Sequence, residues 1–568
     1  MENYIKLSEV RNLLIEEQYS CHYCWQPVSF SYKNLWTLDR IDCSKSHTND
    51  NCKIACITCN KQRSDDLYRK FYRQKALERY DKKYPLIRII DNANNEVFYK
   101  LKKNIVGGAS IVYHRYHEKD VTEITRVHYN QQNKEWTYDK KGKTVKKICG
   151  FDANALYLYC LGQEMPCGEL KWIATEHIKY YSNKDRQYFN NEFFGFLEVD
   201  IQVPEDKYEY FSEMCPIFKN MEYDESVCGE YTKNMVLQTK KKFTKSKKLI
   251  GTLQATQILI MSNLLKWLVD HGCQVTKLYG VIPAAPRKIF AGFMEWVSDE
   301  RRKGDQDTKY SIIAECAKTV GNSAFGRTIM NKNKHKKIQF CDEMKFNRLK
   351  CKSTFYDVTE YNDVYEVTQK KKKIKQNIPL QIGCTVFNYS KVRMLQFYYD
   401  CIDKYLDRSN FQYIEMDTDS AYMALTDDFE KLIKPELRDE FERDKVNWFP
   451  RTDTTEHKMY DKRKPGLFKI EFEGDGMVAL CSKSYYVWGA KNKSSAKGTQ
   501  QKRNIQILNK NTYLRCLQNQ EQISANNKGF RFINKNIKTY EQEKVGLSPI
   551  YAKGVILEDG IHIRPLII

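Results

Sequence analysis

Two aspartates stand one residue apart inside an apolar run, "YIEMDTDSAYMAL", from Tyr413 to Leu425. Carboxylates among apolar neighbours cost free energy unless something neutralises them. Tyr413, Ile414 and Met416 before the pair and Tyr422, Met423 and Leu425 after it favour strands, while Asp, Thr and Ser between them favour a turn. The run therefore predicts a hairpin that presents Asp417 and Asp419 together. Taken alone, such a turn is an ordinary polar one that caps its own backbone.

A second stretch changes that balance. In "ICGFDANALYLYC" (Ile148 to Cys160), Asp152 follows an apolar segment and precedes a strand-to-helix transition. If Asp152 lies beside Asp417 and Asp419, three like charges converge and cannot all stay ionised without cations. Oxygen-only ligands suit Mg²⁺ or Mn²⁺, completed by substrate phosphates. Two such ions activate an attacking hydroxyl and stabilise a leaving group in phosphoryl transfer.

A third stretch supplies cations for an anion. "TKYSIIAECAKTVGNSAFGRT" (Thr308 to Thr328) predicts a helix with Ile312, Ile313, Cys316, Ala317 and Val320 on one apolar stripe that packs inward. Lys318, Asn322 and Phe325 project from the opposite face, a row that suits a triphosphate, a sugar edge and a base. The alternative is a solvated face carrying a lysine. In "LCSKSYYVW", a predicted strand, Lys483 and Tyr485 share a face.

Charge and length agree with a large nucleic-acid enzyme. The chain has 568 residues, enough for several domain-sized units, and a net charge of +22 from 94 basic and 72 acidic residues. Basic runs punctuate it: "KKKFTKSKK" (Lys240 to Lys248), "ERRKGD" (Glu300 to Asp305) and "KKKKIK" (Lys370 to Lys375). The first of these fits a nuclear signal or a DNA-facing patch. No uninterrupted apolar window is long enough to span a bilayer; "ILIMSNLLKWLV" (Ile258 to Val269) predicts a buried helix instead. The N-terminus is acidic and amphipathic, unlike a secretory signal. The 19 cysteines fit reduced thiols of an intracellular protein, not a disulfide framework. The C-terminal "YAKGVILEDGIHIRPLII" predicts strands joined by an Asp559-Gly560 turn.

Near the N-terminus, "CHYC" (Cys21, Cys24) and "CITC" (Cys56, Cys59) form two CxxC pairs. This spacing predicts a Cys₄ site for structural Zn²⁺.

In order and spacing these stretches resemble the polymerase module of family B DNA polymerases, protein-primed branch. "DANALY" is similar to motif A (D-x-x-S-L-Y) with Ala155 for Ser. "KTVGNSAFG" is similar to motif B (K-x-x-x-N-S-x-Y-G) with Phe325 for Tyr. "DTDS" matches motif C and "KSY" the K-x-Y motif. The resemblance covers Ile148 to Ile568. "GGASIVYHRY", "PGLFKIE" and "YAKGVILEDG" further resemble the polymerases of Polinton/Maverick-type elements and related viral or linear-plasmid replicons.

The resemblance implies an α+β right-hand polymerase, with a palm sheet, helical fingers and a thumb, behind a small Cys₄ zinc-binding ββα-like unit. The implied organisation is a zinc unit (1–75), a connecting region (76–145) and palm with motif A and a first insertion (146–239). Fingers with motif B (240–330), palm with a second insertion, motif C and K-x-Y (331–489), and thumb (490–568) follow. The insertions, 168–238 and 328–377, are implied to bind a priming protein and to grip DNA through a basic tract on a hairpin. No D-x-E exonuclease signature precedes motif A, so no exonuclease domain and no proofreading are expected.

The implied activity is template-directed addition of dNTPs to a 3′-hydroxyl by two-metal phosphoryl transfer. Asp152 and Asp419 would hold both metals, with Asp417 nearby. Tyr157 would stack under the incoming sugar and exclude a 2′-hydroxyl. Lys318 and Asn322 would contact the nucleotide, and Phe325 the nascent base pair. Arg301, or its neighbour Arg302, would add a phosphate contact. Ser323, Gly326, Lys483 and Tyr485 would hold primer and template. Implied partners are primer–template DNA, dNTPs and a terminal priming protein, with no membrane and a monomeric state.

The Cys-rich unit resembles HNH/endonuclease VII-type modules, with Asp39, Asn51 and Asn60 at pattern positions. Arg40 stands where the general-base His often sits, which favours a structural or DNA-binding module over a nuclease. The rivals are an HNH-type endonuclease whose C-terminal part only binds DNA, and a non-catalytic polymerase remnant. A reverse transcriptase fits less well, because of DTDS and the K-x-x-x-N spacing.

Overall fold

The computed structural model describes residues 4–30, 35–83, 85–90, 95–105, 107–177, 193–239, 246–533 and 536–568. Lys240–Lys245 of the first basic run and 178–192 of the first insertion lie outside them. The chain divides into two compact units, Met1–Ile87 and Arg88–Ile568.

In the first unit, Trp36–Arg40 and Cys52–Cys56 pair antiparallel, and the helix Ile57–Arg63 follows directly. This is the expected ββα order. A small core of Val10, Leu13, Tyr23, Ile54, Ala55 and Phe71 closes around it.

In the second unit, a five-stranded antiparallel sheet carries the acidic motifs. Its order is Phe468–Gly474, Lys147–Ala153, Ser420–Leu425, Phe411–Asp417 and Ser110–Val112. A second sheet, Lys493–Ala496, Ser484–Trp488, Gly476–Cys481 and Tyr116–Glu118, adjoins it. The two share a core of Ile148, Ile414, Tyr422, Phe472, Met477 and Val487.

The helix Leu380–Gln396 is buried along nearly its whole length and continues into a wide turn, Phe397–Asp403. Phe397 stacks on Phe468 at 3.7 Å and meets Phe151 at 5.5 Å. A third sheet, Ile173–Ala174, Gln274–Pro283, Gly195–Gln202 and Gln254–Met261, shares a core with Leu380 and Cys384 of that helix. Its strands come from both sides of residue 239.

The run Ile258–Val269 differs from the single buried helix expected. Ile258–Met261 end the strand Gln254–Met261, and the helix is Ser262–Asp270. The β-branched Ile258 and Ile260 suit the pleated half, and Ser262 marks the break.

The stretch around motif B also corrects the expectation. Its helix, Ser311–Ser323, pairs with Ala291–Gln306. Of the expected inward stripe only Ala317 packs: Ile312 is 76% exposed, Ile313 48% and Val320 44%, and Cys316 is exposed too. Ala317 and Gly321 form the packed face. A Cβ on Gly304 would lie 2.4 Å from Ala314 Cβ, and one on Gly321 would lie 3.0 Å from Val297. Close backbone approach selects small residues, which hydrophobic periodicity underweights.

Residues Lys336–Cys341, Val364–Lys370 and Phe355–Tyr361 form a small separate sheet against the helix Glu343–Lys350. The hairpin here is Phe355–Tyr361 with Val364–Lys370. The basic tract is therefore not on its tip: Lys371–Lys375 lie beyond it, exposed, in the connection to Leu380. A long hairpin, Ile523–Ile533 with Asn536–Leu547, precedes the C-terminal pair Val555–Ile556 and Ile563–Arg564. Gly560 turns that pair at φ 75°, as the sequence predicts. Arg115, fully buried, ties this end to the sheets by donating to the carbonyls of Gly560 (3.0 Å) and Pro549 (2.8 Å). Among the described residues no helix is long and apolar enough to cross a membrane.

Candidate active site

Asp417 ends one strand and Ser420 begins the next, so the DTDS turn is two residues long. Thr418 takes φ 65°, a strained conformation for a β-branched residue. Its amide donates to Ala109 O at 2.6 Å, which pins the turn. On the other side, Asp152 faces Ser420 in register, and the Ala153 amide donates to Asp419 O at 2.8 Å. Strand pairing thus brings Asp152 beside Asp419 and completes the acidic set.

The electrostatics follow from this placement. Burial, then the neighbouring Asp152 charge, pushes the Asp419 carboxyl up to about 7. Burial and Glu471 raise Asp152, while Lys469 acts against them. Lysines moderate the cluster: Lys483 Nζ lies 2.9 Å from Asp417 Oδ1, and Lys469 Nζ 3.4 Å from Asp152 Oδ2. A partly buried, oxygen-only set that resists full ionisation fits a hard divalent cation.

Asp152 leads into the helix Leu156–Leu161 through Ala155, at φ 46°. Ala155 is the N-cap position, and it offers no side-chain oxygen to the first turn. Asn154 Nδ2 donates to Lys464 O at 2.9 Å, and the Gly466 amide donates to Asn154 O at 2.8 Å, stitching "PGLFKIE" to motif A.

Tyr157 projects from the helix's first turn. Its ring lies 4.3 Å from Phe325 and 5.9 Å from Phe387, centroid to centroid. The structure therefore brings Tyr157 and Phe325 together. Phe325 itself is buried and lies past the end of the motif B helix.

Arg301 and Lys318 line one cavity of about 220 Å³ with Asp305, Glu315 and Arg463. Arg302 is spent elsewhere, donating to Tyr460 O at 3.2 Å and pairing with Asp299 at 2.6 Å. Arg301 is thus the one of the two that faces Lys318. Asn322 is exposed, and Gly326 has open space at its Cα. Ser323 turns its hydroxyl back onto Thr319 O at 2.7 Å.

Lys483 and Tyr485 do not share a strand face. Lys483 sits in the turn between Gly476–Cys481 and Ser484–Trp488, at φ 62°, which lets it reach Asp417. Tyr485 is buried, its hydroxyl 3.3 Å from that of Tyr422, which accepts from Lys493 Nζ at 2.8 Å.

Sequence reasoning missed Lys469, Glu471, Glu415 and Gly108. Lys469 lies opposite Asp152 only through strand register. Glu415, fully buried, is held well above the usual carboxylate range by burial and by Asp417. A Cβ on Gly108 would lie 2.6 Å from Thr418 Cγ2 and 2.7 Å from the Tyr157 hydroxyl.

In the first unit, the Sγ atoms of Cys21, Cys24, Cys56 and Cys59 lie within 4.8 Å of one another. Cys56 caps its helix by accepting from the Cys59 amide at 3.4 Å. Hydrogen bonding to Cys59 lowers the Cys21 thiol to about 4. The HNH pattern positions serve structure instead. Asp39 is buried in an ion pair with Arg63 at 2.7 Å. Asn51 Nδ2 donates to the carbonyls of Asp42 and Ser46 at 3.0 Å, and Asn60 to Thr37 Oγ1 at 2.9 Å.

Carboxylates at a two-residue turn of an antiparallel sheet, a cavity holding Arg301, Lys318 and Arg463 between helices, and the Tyr157–Phe325 pair are an arrangement suited to nucleotidyl transfer. The family described as DNA polymerase type B, organellar and viral, matches residues 134–436. The chain belongs to this family and is a DNA-directed DNA polymerase. Polymerases of this family use divalent metals, and the Cys₄ cluster is compatible with zinc. Two structures of Phi29 DNA polymerase align with it. One, complexed with primer-template DNA, has 12% identity and a TM-score of 0.45, covering 83% of this chain and 67% of that one. The other, an orthorhombic crystal form, has 13% identity and a TM-score of 0.45, covering 84% and 67%. No curated protein sequence matches the chain.

Proposed function

We propose that this polymerase extends primers at Asp152, Asp417 and Asp419, and that it starts replication of a viral or mobile-element DNA from a protein-borne hydroxyl. The observation that carries the site assignment is the register that places Asp152 against the DTDS turn. Asp152 and Asp419 would hold two Mg²⁺ (or Mn²⁺), with Asp417 contributing less because Lys483 pairs with it. Such ions supply charge neutralisation to the attacking 3′-hydroxyl and to the leaving pyrophosphate.

The chain's own groups do the rest. Lys318 and Arg301 bind the triphosphate from one cavity. Tyr157, braced by Phe325, excludes a 2′-hydroxyl, and Phe325 backs the nascent base pair. Lys483 moves between Asp417 and the primer terminus. Tyr485, Asn322, Ser323 and Gly326 complete the nucleic-acid side. Protein priming rests on the motif resemblance.

The Cys₄ unit holds zinc and binds DNA without cleaving it, because Asp39 is committed to Arg63. Primer extension with Mg²⁺ and dNTPs tests the core assignment. Asp419→Ala is expected to lose more than about 100-fold in rate, beyond what removal of a metal's supporting partner costs. Equal extension by the variant would sink it.

A further inference from the structure

Away from the carboxylates, the second unit holds a cavity of about 350 Å³. It is bounded by the hairpin Ile217–Tyr223 and Ser246–Thr252, the strand Gln254–Met261, and the helices Ser262–Asp270 and Leu380–Gln396. Four lysines line it: Lys103, Lys219, Lys247 and Lys391. No carboxylate does. Elsewhere in the chain lysines commonly pair with acids, yet none of these four makes an ion pair among the described residues.

Lys391 is the telling one. It projects from the most buried helix of the molecule and is only 6% exposed. It has no hydrogen-bond partner among the described residues, and burial pushes its ammonium down to about 7. A buried, unpaired cation is costly, and the helix's other buried cation, Arg393, is satisfied by donating to the carbonyls of Gly466 and Asn447. Lys219 is partly satisfied by Ile568 O at 2.7 Å. The amides of Asn104, Asn220 and Asn388 are engaged with backbone. Ile258, Ile260, Leu264 and Leu268 supply an apolar part of the lining.

Lysines without an acidic partner, aliphatic side chains in the same lining, and a volume at the small end of ligand pockets suit an amphipathic anion. We propose that this cavity binds a phosphate ester of mononucleotide size, with its phosphate on Lys391, at a site distinct from the catalytic carboxylates. The depth of Lys391 favours a free small ligand over a continuous strand.

The test is calorimetric titration of full-length protein with dAMP in EDTA, in an Arg301→Ala/Lys318→Ala background that disables the catalytic phosphate cavity. Binding is expected to persist in that background and to weaken at least about tenfold on adding Lys391→Met. Lys391→Met keeps the side-chain length and removes a buried charge, so it is expected to fold at least as stably. Lys103→Ala, at the exposed rim, should weaken binding less. Undiminished dAMP binding by the Lys391→Met protein, or no binding before it is introduced, would overturn the proposal. So would displacement of dAMP by a single-stranded oligonucleotide that itself loses affinity with Lys391→Met.

Discussion

Gly108 has no room for a methyl group. Its Cα faces Thr418 and the Tyr157 hydroxyl so closely that any Cβ must displace one of them. Both belong to the proposed site: Thr418 holds the turn between the aspartates, and Tyr157 is the proposed sugar gate. Gly108→Ala is expected to slow extension and to lower discrimination against ribonucleotides together. Tyr157→Phe removes the clashing oxygen, so adding it to Gly108→Ala should recover part of the extension rate. Steady-state kcat/KM for dNTP and rNTP checks this; unchanged selectivity in Gly108→Ala would show that the contact does not position the gate.

At the scale of elements, the proposed zinc site draws on four cysteines that converge within the core of the first unit. The unit's two strands are five residues each and the helix that follows them has seven, flanked by the helices Leu7–Glu16 and Tyr68–Lys83. A bound metal would add its binding free energy to what this core supplies. Cys56→Ala removes both a thiol of the proposed zinc site and the side-chain cap of Ile57–Arg63. The expected result is loss of amide protection across Cys52–Cys56 and Ile57–Arg63 by hydrogen exchange, reproduced in the wild type by a zinc chelator. Retained protection under both treatments would mean that the metal is dispensable. The motif B helix shows the converse: it packs through Ala317 and Gly321 and leaves its larger aliphatic residues exposed.

For the whole molecule, the charge of +22 sets how DNA is held. Phosphate contacts by Lys and Arg release counterions, so affinity falls with salt. Contact with six or more phosphates predicts a slope of log K against log salt of roughly −5 or steeper, with little dependence on sequence. Fluorescence anisotropy with two unrelated primer–templates measures both. A shallow slope with strong sequence preference would point to base-reading contacts instead.

Much of the site was legible in the chain itself. Asp152, Tyr157, Lys318, Phe325, Asp417, Asp419 and the four cysteines lie in short motifs whose residue types announce their chemistry, and local propensity places the turn and the strand-to-helix transition around them. What local sequence cannot carry is relation across the fold. Register puts Asp152 against Ser420 and Lys469 against Asp152. Packing turns Arg301 inward and Arg302 away, and a left-handed turn brings Lys483 to Asp417. Lys391 reads in sequence as one more lysine on a helix; only the assembled core leaves it without a partner. Residue chemistry is local and survives in a motif, whereas neighbours across sheets and between helices exist only once the chain has closed on itself.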